Sequence, residues 1–428
     1  MDKIKIKNLI DNALKNTKKT FAQIDQTALT NQKKVLDAFK KNRIALRHFA
    51  STSGYAYGDD GRAALAQTFA DVFNTQSAIV SPLFGSGTHT IAAALFGLAR
   101  PKDTILSISG TPYNTLKKVI SGKKGDGSLK DFDIDFEIVD LIKDDKITDG
   151  YQFDYQKIAD KTKQLNPAII YIQRAKGYFW RRALSVGQIT KVSEFVRKIT
   201  NAPIVVDNCY GEFVESAEPT DGASGVDLMM GSLIKNPGGG LAPTGGYIVG
   251  KTDLIDKIGS RYSAPGVGFD IGANPYGYQY YFQGLFLSPH TVAQSLKTAV
   301  LFGDCFDSLG YKVLGIDKNL DKNQTAMQSD ITCAIEFKKR EELIKFCQAI
   351  QSASPIDSHV VPYPSQMPGY ECQVIMAAGS FVQGASIELS ADAPISPPFV
   401  AYLQGGLTLE HGLIALEQVI KSMLNIAN

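Results

Sequence analysis

The spacing of apolar positions changes along the chain, and each spacing predicts a different kind of structure. Residues 1–48 carry apolar side chains at helical intervals among polar ones, which predicts an N-terminal helical arm. From about residue 75 to 250, short apolar runs rich in β-branched residues alternate with helical stretches. The runs are 104–110, 168–174, 203–208 and 228–233, and the helical stretches include 88–99 and 186–199. This alternation predicts an α/β domain with a mostly parallel sheet covered on both faces.

The remaining chain predicts a second, smaller domain. Residues 250–290 are rich in glycine and aromatic side chains, and a new helix is predicted to start at about 291. Beyond it, 330–337 has the composition of a strand and 340–351 that of a helix. We therefore divide the chain into an N-terminal arm (1–48), a large α/β domain (49–290) and a small C-terminal α+β domain (291–428).

Composition and charge exclude several classes of function. The 45 basic and 43 acidic residues leave a formal net charge of +2, without the basic excess of a nucleic-acid-binding protein. The five cysteines form no CxxC pair, so neither a disulfide framework nor a zinc site is expected, and no metal is predicted. The long uncharged run 271–296 contains prolines and many polar residues, which argues against a membrane span. The N-terminus lacks a signal-peptide core, so we expect a cytoplasmic protein.

One motif in the sequence is misleading. Residues 245–252, GGYIVGKT, match the pattern of a nucleotide-binding P-loop. Such a loop needs a backbone that curls around phosphate, whereas Tyr247, Ile248 and Val249 favour extended backbone. We interpret 245–250 as a strand and Lys251 as a surface residue, so an ATP-dependent function is the weaker alternative.

A better candidate for an anion site precedes the helix predicted at 88–99. Gly85, Ser86, Gly87 and Thr88 form a short turn directly before its apolar residues. Free N–H groups and the helix dipole favour an anion at such a position. A plain glycine turn that caps the helix is an equally good interpretation of this stretch alone.

Two charged residues follow predicted strands. Asp207 ends the apolar run 203–208, and Lys235 comes just after 228–233, within the segment GSLIKNPGGG. Neighbouring parallel strands would place these strand ends side by side, where ligands of such sheets bind. A carboxylate there is costly without a partner, although a local turn or helix cap could also account for Asp207.

An anion cradle, a buried carboxylate and a lysine together fit pyridoxal 5′-phosphate (PLP). The cradle would bind the phosphate, the carboxylate would keep the pyridine nitrogen protonated, and the lysine would bond to the aldehyde. A charge-assisted hydrogen bond such as that to the pyridinium contributes about 1.5–3 kcal/mol.

The sequence resembles the methionine γ-lyase-like, or aluminium-resistance, proteins, which are relatives of cystathionine γ-lyase among the fold-type I PLP-dependent enzymes. The resemblance covers nearly the whole chain. Its motifs are GYAYGDDGR (54–62), FGSGTHT (84–90), GTPYNTL (110–116), QRAKGY (173–178), VDNCYGEF (206–213), GSLIKNPGGGLAPTGGYIVG (231–250) and GASIELSADAP (384–394). It implies a mostly parallel seven-stranded sheet flanked by helices.

The resemblance also implies roles for individual residues. Lys235 would carry the cofactor and move protons, Asp207 would pair with its pyridine nitrogen, and Tyr113 would stack on its ring and could protonate a departing thiolate. The phosphate would be bound by Ser86, Gly87, Thr88 and Ser232. Tyr57 and Arg62 would reach the phosphate of a neighbouring subunit, which makes the expected active unit a homodimer or homotetramer with shared active sites.

The sequence departs from this family where the substrate's α-carboxylate should be anchored. Cystathionine-type lyases usually supply an arginine from the small domain, but the only arginine from 291 onward is Arg340, in an apparent surface charge run. We therefore predict that the anchor comes from Arg174, Arg181 or Arg182, with Arg174 preferred. A solvated basic loop is the alternative interpretation of 174–182.

The expected activity is PLP-dependent elimination of a thiol from a sulfur amino acid such as methionine, cystathionine or cysteine. Transamination or aldol cleavage would use the same fold and cofactor, so the fold cannot decide between these reactions. A catalytically idle PLP-binding protein is a third possibility.

Overall fold

The computed structural model describes residues 2–55, 59–315, 329–367 and 370–425. The helices within these ranges are α1 (Asp2–Lys41), α2 (Asp60–Val72), α3 (Gly87–Leu98), α4 (Asn114–Ile120), α5 (Tyr155–Leu165), α6 (Val186–Val196), α7 (Thr252–Tyr262), α8 (Gln279–Ser308), α9 (Arg340–Ser352) and α10 (Leu409–Met423). The strands are β1 (Ser77–Ser81), β2 (Thr104–Ser107), β3 (Asp135–Ile138), β4 (Ile142–Asp144), β5 (Gly150–Gln152), β6 (Ile169–Gln173), β7 (Ile204–Asp207), β8 (Leu228–Ser232), β9 (Gly246–Gly250), β10 (Lys312–Val313), β11 (Thr332–Phe337), β12 (Ser365–Gln366), β13 (Gln373–Ala377), β14 (Ser390–Pro394) and β15 (Phe399–Gln404).

A seven-stranded sheet forms the centre of the large domain. Its strand order is β1-β9-β8-β7-β6-β2-β3, and only β9 runs against its neighbours. Strands β6, β7 and β8 are buried at every position, because helices cover both faces of the sheet. The predicted mostly parallel sheet is therefore confirmed, and so are the strands expected near 104, 168, 203 and 228.

The small domain contains an antiparallel sheet of six strands in the order β10-β11-β15-β14-β13-β12. Alternate residues of β14 and β15, such as Ala391 and Leu403, belong to a core shared with α8, α9 and α10. The intervening residues face the opposite side of the sheet, toward the large domain, as the period of two along a strand requires.

The helix predicted to start at about 291 begins earlier. Helix α8 starts at Gln279 and continues through Pro289 to Ser308, so it crosses the predicted domain boundary at 290. Pro289 weakens the helix locally, because a proline cannot donate a backbone hydrogen bond inside a helix. Packing outweighs that loss, since most of α8 is buried and its side chains enter both major cores.

The predicted N-terminal arm is one helix. Helix α1 packs along α8, and its apolar side chains enter both major cores: Ile6 and Ala13 join the small-domain core, Ile24 and Val35 the large-domain core. Its Asn31 amide donates to the carbonyl oxygens of Phe213 and Glu215. The arm therefore connects the two domains instead of projecting from them.

The P-loop-like segment adopts the extended structure that its residues favour. Residues 246–250 form β9, which pairs on both edges, and Lys251 is an exposed residue whose Nζ lies 2.5 Å from Asp227 Oδ1. The segment has no phosphate-binding loop, which confirms our interpretation. None of the described helices combines the length and the apolar surface needed to span a membrane.

A buried arginine supports the strand ends of the large domain. The side chain of Arg174 is 0% exposed, and its guanidinium donates to Leu184 O, Asn208 Oδ1, Gly211 O and Glu215 Oε1 at 2.6–3.2 Å. Glu218, also buried, lies 3.8 Å away. Burial raises the pKa of Glu218 to about 7, and Arg174 opposes this rise. Arg174 thus fixes the turn that follows Asp207.

Replacing Arg174 with alanine should lower the free energy of unfolding by about 3–5 kcal/mol, because it leaves Glu218 buried without its cation. Urea unfolding followed by circular dichroism measures this change. Arg261→Ala is the control, because Arg261 is exposed and, among the described residues, its guanidinium has a cation–π contact with the Phe96 ring at 5.2 Å, so its loss should cost about 1 kcal/mol or less. An Arg174→Ala protein as stable as the parent, with only a higher KM for amino acids, would contradict this assignment.

Candidate active site

Lys235 and Asp207 lie at adjacent strand ends. Strands β7 and β8 pair in parallel, with Asp207 opposite Met230, and Lys235 follows the end of β8 by three residues. Both residues therefore reach the carboxyl edge of the sheet, where the sequence predicted them. Nζ of Lys235 sits 4.1 Å from the centre of the Tyr210 ring, a cation–π distance.

The two charges influence each other strongly. Burial raises the pKa of Asp207, while Lys235 and the Cys209 N–H at 3.1 Å act in the opposite direction. Burial lowers the pKa of Lys235, but Cys209, Tyr210 and Asp207 more than offset it, so the pKa lies well above its ordinary value. A buried carboxylate of this kind is stabilised by an adjacent cation, which is the role a pyridinium would fill.

The glycines after Lys235 allow a close approach between its loop and α8. A side chain at Gly239, where φ is +56°, would lie 2.4 Å from Gly284 O, and one at Gly238 would lie 1.7 Å from Leu233 O. Only glycine fits this combination of positive φ and crowded backbone. The three consecutive glycines therefore pack the loop tightly and hold Lys235 at the base of the cleft.

The predicted anion cradle forms at the start of α3. Ser86 is its N-cap and accepts a hydrogen bond from His89 N at 3.1 Å, while Gly87 and Thr88 lie in the first turn, whose N–H groups have no acceptor within the helix. A Cβ at Gly87 would lie 3.2 Å from Ser232 Cβ, so glycine keeps this space open. The Ser232 hydroxyl is buried and has no hydrogen-bond partner among the described residues.

Tyr113 is held against this cradle from two sides. Its hydroxyl lies 2.9 Å from Thr88 Oγ1, and its backbone N–H donates to Gln173 Oε1 at 2.8 Å. Burial, and after it Asp207, raises the pKa of Tyr113, so the phenol stays protonated at neutral pH. The ring is therefore fixed beside the cradle with a proton available to donate.

These residues fit PLP. The helix start and the unpaired Ser232 hydroxyl offer donors for a phosphate, Asp207 offers a carboxylate for the pyridine nitrogen, and Lys235 offers the amine. The structure brings together seven of the predicted residues around one cleft: Ser86, Gly87, Thr88, Tyr113, Asp207, Ser232 and Lys235.

Arg62 lies elsewhere in the same chain. Its guanidinium binds Asp59 at 2.9 Å and the carbonyl oxygens of Gly272 and Phe269, and none of its described hydrogen bonds reaches residues 85–88. It lines a separate cavity of about 180 Å³ together with residues 77–83, residues 269–272 and Asn274. Tyr57, predicted to act with it, is outside the described residues.

The arginines predicted to anchor the substrate carboxylate form their hydrogen bonds within the protein itself. The burial and hydrogen bonds of Arg174 contradict its assignment as the anchor. Arg181 is also buried and donates to Ala175 O and Arg182 O, and Arg182 donates to Thr148 O and Gly315 O. These basic residues follow a strand end, which suggested a binding role, but the fold uses their N–H groups to satisfy backbone carbonyls. Arg340 is exposed at the start of α9, as expected.

Sequence reasoning missed two residues that shape the site. Tyr210, under Lys235, has φ +72°, a strained conformation for a residue other than glycine, and such strain is concentrated at functional sites. Its position three residues after Asp207 was the available signal. Gln173 pairs with Asp207 in the sheet and positions Tyr113, but a glutamine that ends a strand carries no distinctive signal.

No group of three or more metal-ligating side chains converges anywhere in the part of the chain that the structure describes.

Comparison with known proteins identifies the family. The model of the methionine gamma-lyase family matches residues 6–424. The Bacillus subtilis protein YnbB, whose function is uncharacterised, is 47% identical over 407 residues, which cover 94% of this chain and 92% of YnbB.

Solved structures agree with this assignment. A carbon-sulfur lyase involved in aluminum resistance from Clostridium novyi NT is 42% identical, covers 97% of this chain and 95% of its own, and superposes with a TM-score of 0.89. The PLP-dependent protein YhfS from Escherichia coli, at 16% identity and a TM-score of 0.60 over 94% of this chain and 97% of YhfS, shows the same fold. The predicted fold of fold-type I PLP-dependent enzymes and the predicted resemblance are confirmed: the chain belongs to the methionine gamma-lyase family.

Proposed function

We propose that the protein is a PLP-dependent carbon-sulfur lyase that eliminates a thiol from a small sulfur amino acid. The observation that carries this proposal is the placement of Lys235 and Asp207 at adjacent strand ends, opposite the cradle formed by α3 and Ser232. The similarity to a carbon-sulfur lyase over nearly the whole chain supports the reaction type.

PLP, when bound, supplies an electron sink that stabilises negative charge at the substrate's Cα. The residues that would hold it are Lys235 at the aldehyde, Asp207 at the pyridine nitrogen, Tyr113 against the ring, and Ser86, Gly87, Thr88 and Ser232 at the phosphate. The unpaired Ser232 hydroxyl is the clearest sign that these residues bind a ligand with a hydrogen-bond acceptor such as a phosphate, because a buried hydroxyl without a partner is costly.

Two residues would move protons. The Lys235 amine is the base nearest the cofactor position and would take the proton from the substrate's Cα. The Tyr113 phenol stays protonated and is held by Thr88 and Gln173, so it can donate a proton to the departing sulfur atom. Tyr210, beneath Lys235, would keep the amine directed into the cleft.

The activity can be tested on purified protein loaded with PLP. Incubation with L-methionine, L-cystathionine, L-cysteine and S-alkyl-L-cysteines should release thiol and 2-oxo acid in equal amounts from at least one of them. Lys235→Ala should abolish release, because it removes both the cofactor bond and the base. Lys251→Ala, a lysine from the P-loop-like segment, should leave release unchanged.

Formation of 2-oxo acid without thiol would instead indicate transamination, and no turnover of any member of this panel would contradict the lyase proposal.

We further propose that the active unit is a homo-oligomer in which Arg62 serves the phosphate of a neighbouring subunit. Arg62 is away from its own chain's cradle, and the segments around it expose large apolar side chains: Tyr276 is 85% exposed, Tyr55 70% and Leu83 49%. Exposed apolar patches of this kind mark protein interfaces. An arginine suits a phosphate because its N–H groups form paired charge-assisted hydrogen bonds.

Shared sites predict complementation between two defective chains. Arg62→Ala should weaken retention of PLP, and Lys235→Ala should be inactive. Co-refolding or co-expressing the two chains should restore activity, because each hybrid dimer regains one site with an intact Arg62 and an intact Lys235. If both variants fold and the mixture stays as inactive as its parts, the two residues do not come from different subunits.

A further inference from the structure

The small domain presents a carboxylate, and no arginine, to the cleft that contains Lys235. Asp392 lies in the middle of β14, where its neighbours Ala391 and Ala393 point into the small-domain core. The alternation along the strand therefore directs Asp392 to the opposite face, toward the large domain. Its side chain is partly exposed, which leaves it accessible from the cleft.

Asp392 has little to neutralise it. The Gln404 amide on the neighbouring strand donates to Asp392 Oδ2 at 3.3 Å, and no described lysine, arginine or histidine forms a salt bridge with it. Burial raises its pKa to about 6, while Gln404, Lys235 and Tyr178 act in the opposite direction. Lys235 is among the groups that oppose this rise, and that amine is also the group assigned to the cofactor. A half-buried carboxylate in this position is stabilised when a ligand supplies a cation.

Aromatic rings and hydroxyls surround the carboxylate. The Tyr178 ring lies 5.0 Å from the Tyr402 ring and 6.0 Å from the Tyr370 ring, and Tyr402 Oη donates to Tyr178 O at 2.6 Å. Tyr402 is the strand partner of Asp392, so these rings stand beside it. Aromatic faces attract cations, which adds to the preference for positive charge.

A serine lies on the same surface. The hydroxyl of Ser390 is buried and has no hydrogen-bond partner among the described residues. Ser390 precedes Asp392 by two residues and therefore lies on the same face of β14. Together these residues offer one negative charge, phenol rings and one unpaired hydroxyl to a ligand that enters the cleft from the small-domain side.

We propose that Asp392 binds an ammonium group at the distal end of the substrate's side chain, so that the preferred substrates are basic amino acids with a second amino group. That the substrate contains sulfur is inferred from the lyase function proposed above. That it carries a distal cation is inferred from Asp392 and the residues around it. An alternative is that Asp392 recognises only the α-amino group, which every amino acid carries.

Binding of two isosteric amino acids separates these cases without requiring turnover. L-lysine and L-2-aminoheptanoic acid differ only in the terminal ammonium and methyl groups, and neither contains sulfur. Isothermal titration of the PLP-loaded protein should give a Kd for L-lysine at least about tenfold lower than for L-2-aminoheptanoic acid, equal to about 1.4 kcal/mol. Asp392→Asn, which keeps the size of the side chain, should remove this difference.

Glu388→Gln is the matched control. Glu388 lies in the same segment, but its oxygens accept from Phe381 N and Val382 N at 2.9 Å, so its replacement should keep the preference for lysine. Equal affinities for the two ligands in the parent, or a preference that survives in Asp392→Asn, would overturn the proposal. An Asp392→Asn variant whose affinity falls equally for both ligands would also overturn the proposal, because Asp392 would then bind the α-amino acid group that the two ligands share.

The corresponding kinetic comparison uses S-(2-aminoethyl)-L-cysteine and S-propyl-L-cysteine, which differ in the same way and contain sulfur. The first should show a kcat/KM for thiol release at least about tenfold higher. Thiol release from both compounds with equal kcat/KM would overturn the role of Asp392 while leaving the lyase function intact. Discrimination between lysine and 2-aminoheptanoic acid without thiol release from either cysteine derivative would refute the lyase function and support the distal-cation site.

Discussion

The electrostatic pairing of Asp207 and Lys235 in a mostly buried site is the constraint on which the remaining structure depends. Neither charge is stable there alone, because burial raises the pKa of Asp207 and opposes protonation of Lys235. The parallel pairing of β7 with β8 brings the two strand ends together. Around this pair the fold places Arg174 behind the turn after Asp207 and the glycine-packed loop after Lys235.

The two halves of the cleft have different electrostatic character. The large-domain half offers hydrogen-bond donors and an amine, which suit a phosphate and an aldehyde. The small-domain half offers Asp392, Gln404 and tyrosine rings, which suit a cation. Helices α1 and α8 contact the cores of both domains, so they fix the distance between these halves. The specificity of the enzyme would then depend on the small-domain face and its chemistry on the large-domain face.

The sequence predicted the parts of the site that rest on local patterns. Asp207 and Lys235 follow apolar runs whose type and order imply adjacent strand ends, and Ser86 to Thr88 precede a helix, so their placement could be derived. Arg174 also follows an apolar run at a strand end, yet it is buried beside Glu218. Its role could not be predicted, because the spacing of residues in the sequence does not reveal Glu218 or the turn that Arg174 stabilises. Asp392 was missed for a similar reason. It lies in a strand far along the chain, and only the three-dimensional structure brings it to the cleft that contains Lys235. The length of α8 also escaped prediction, since tertiary packing outweighed the local signal of Pro289.

The most direct test of the account is the chemical identification of the residue that binds the cofactor. The protein loaded with PLP is treated with sodium borohydride, digested and analysed by mass spectrometry for pyridoxyl-modified peptides. The account predicts a single modified peptide that contains Lys235, and no modification in the Lys235→Ala variant. Modification of a different lysine, Lys251 included, or an unmodified protein after reduction would contradict it.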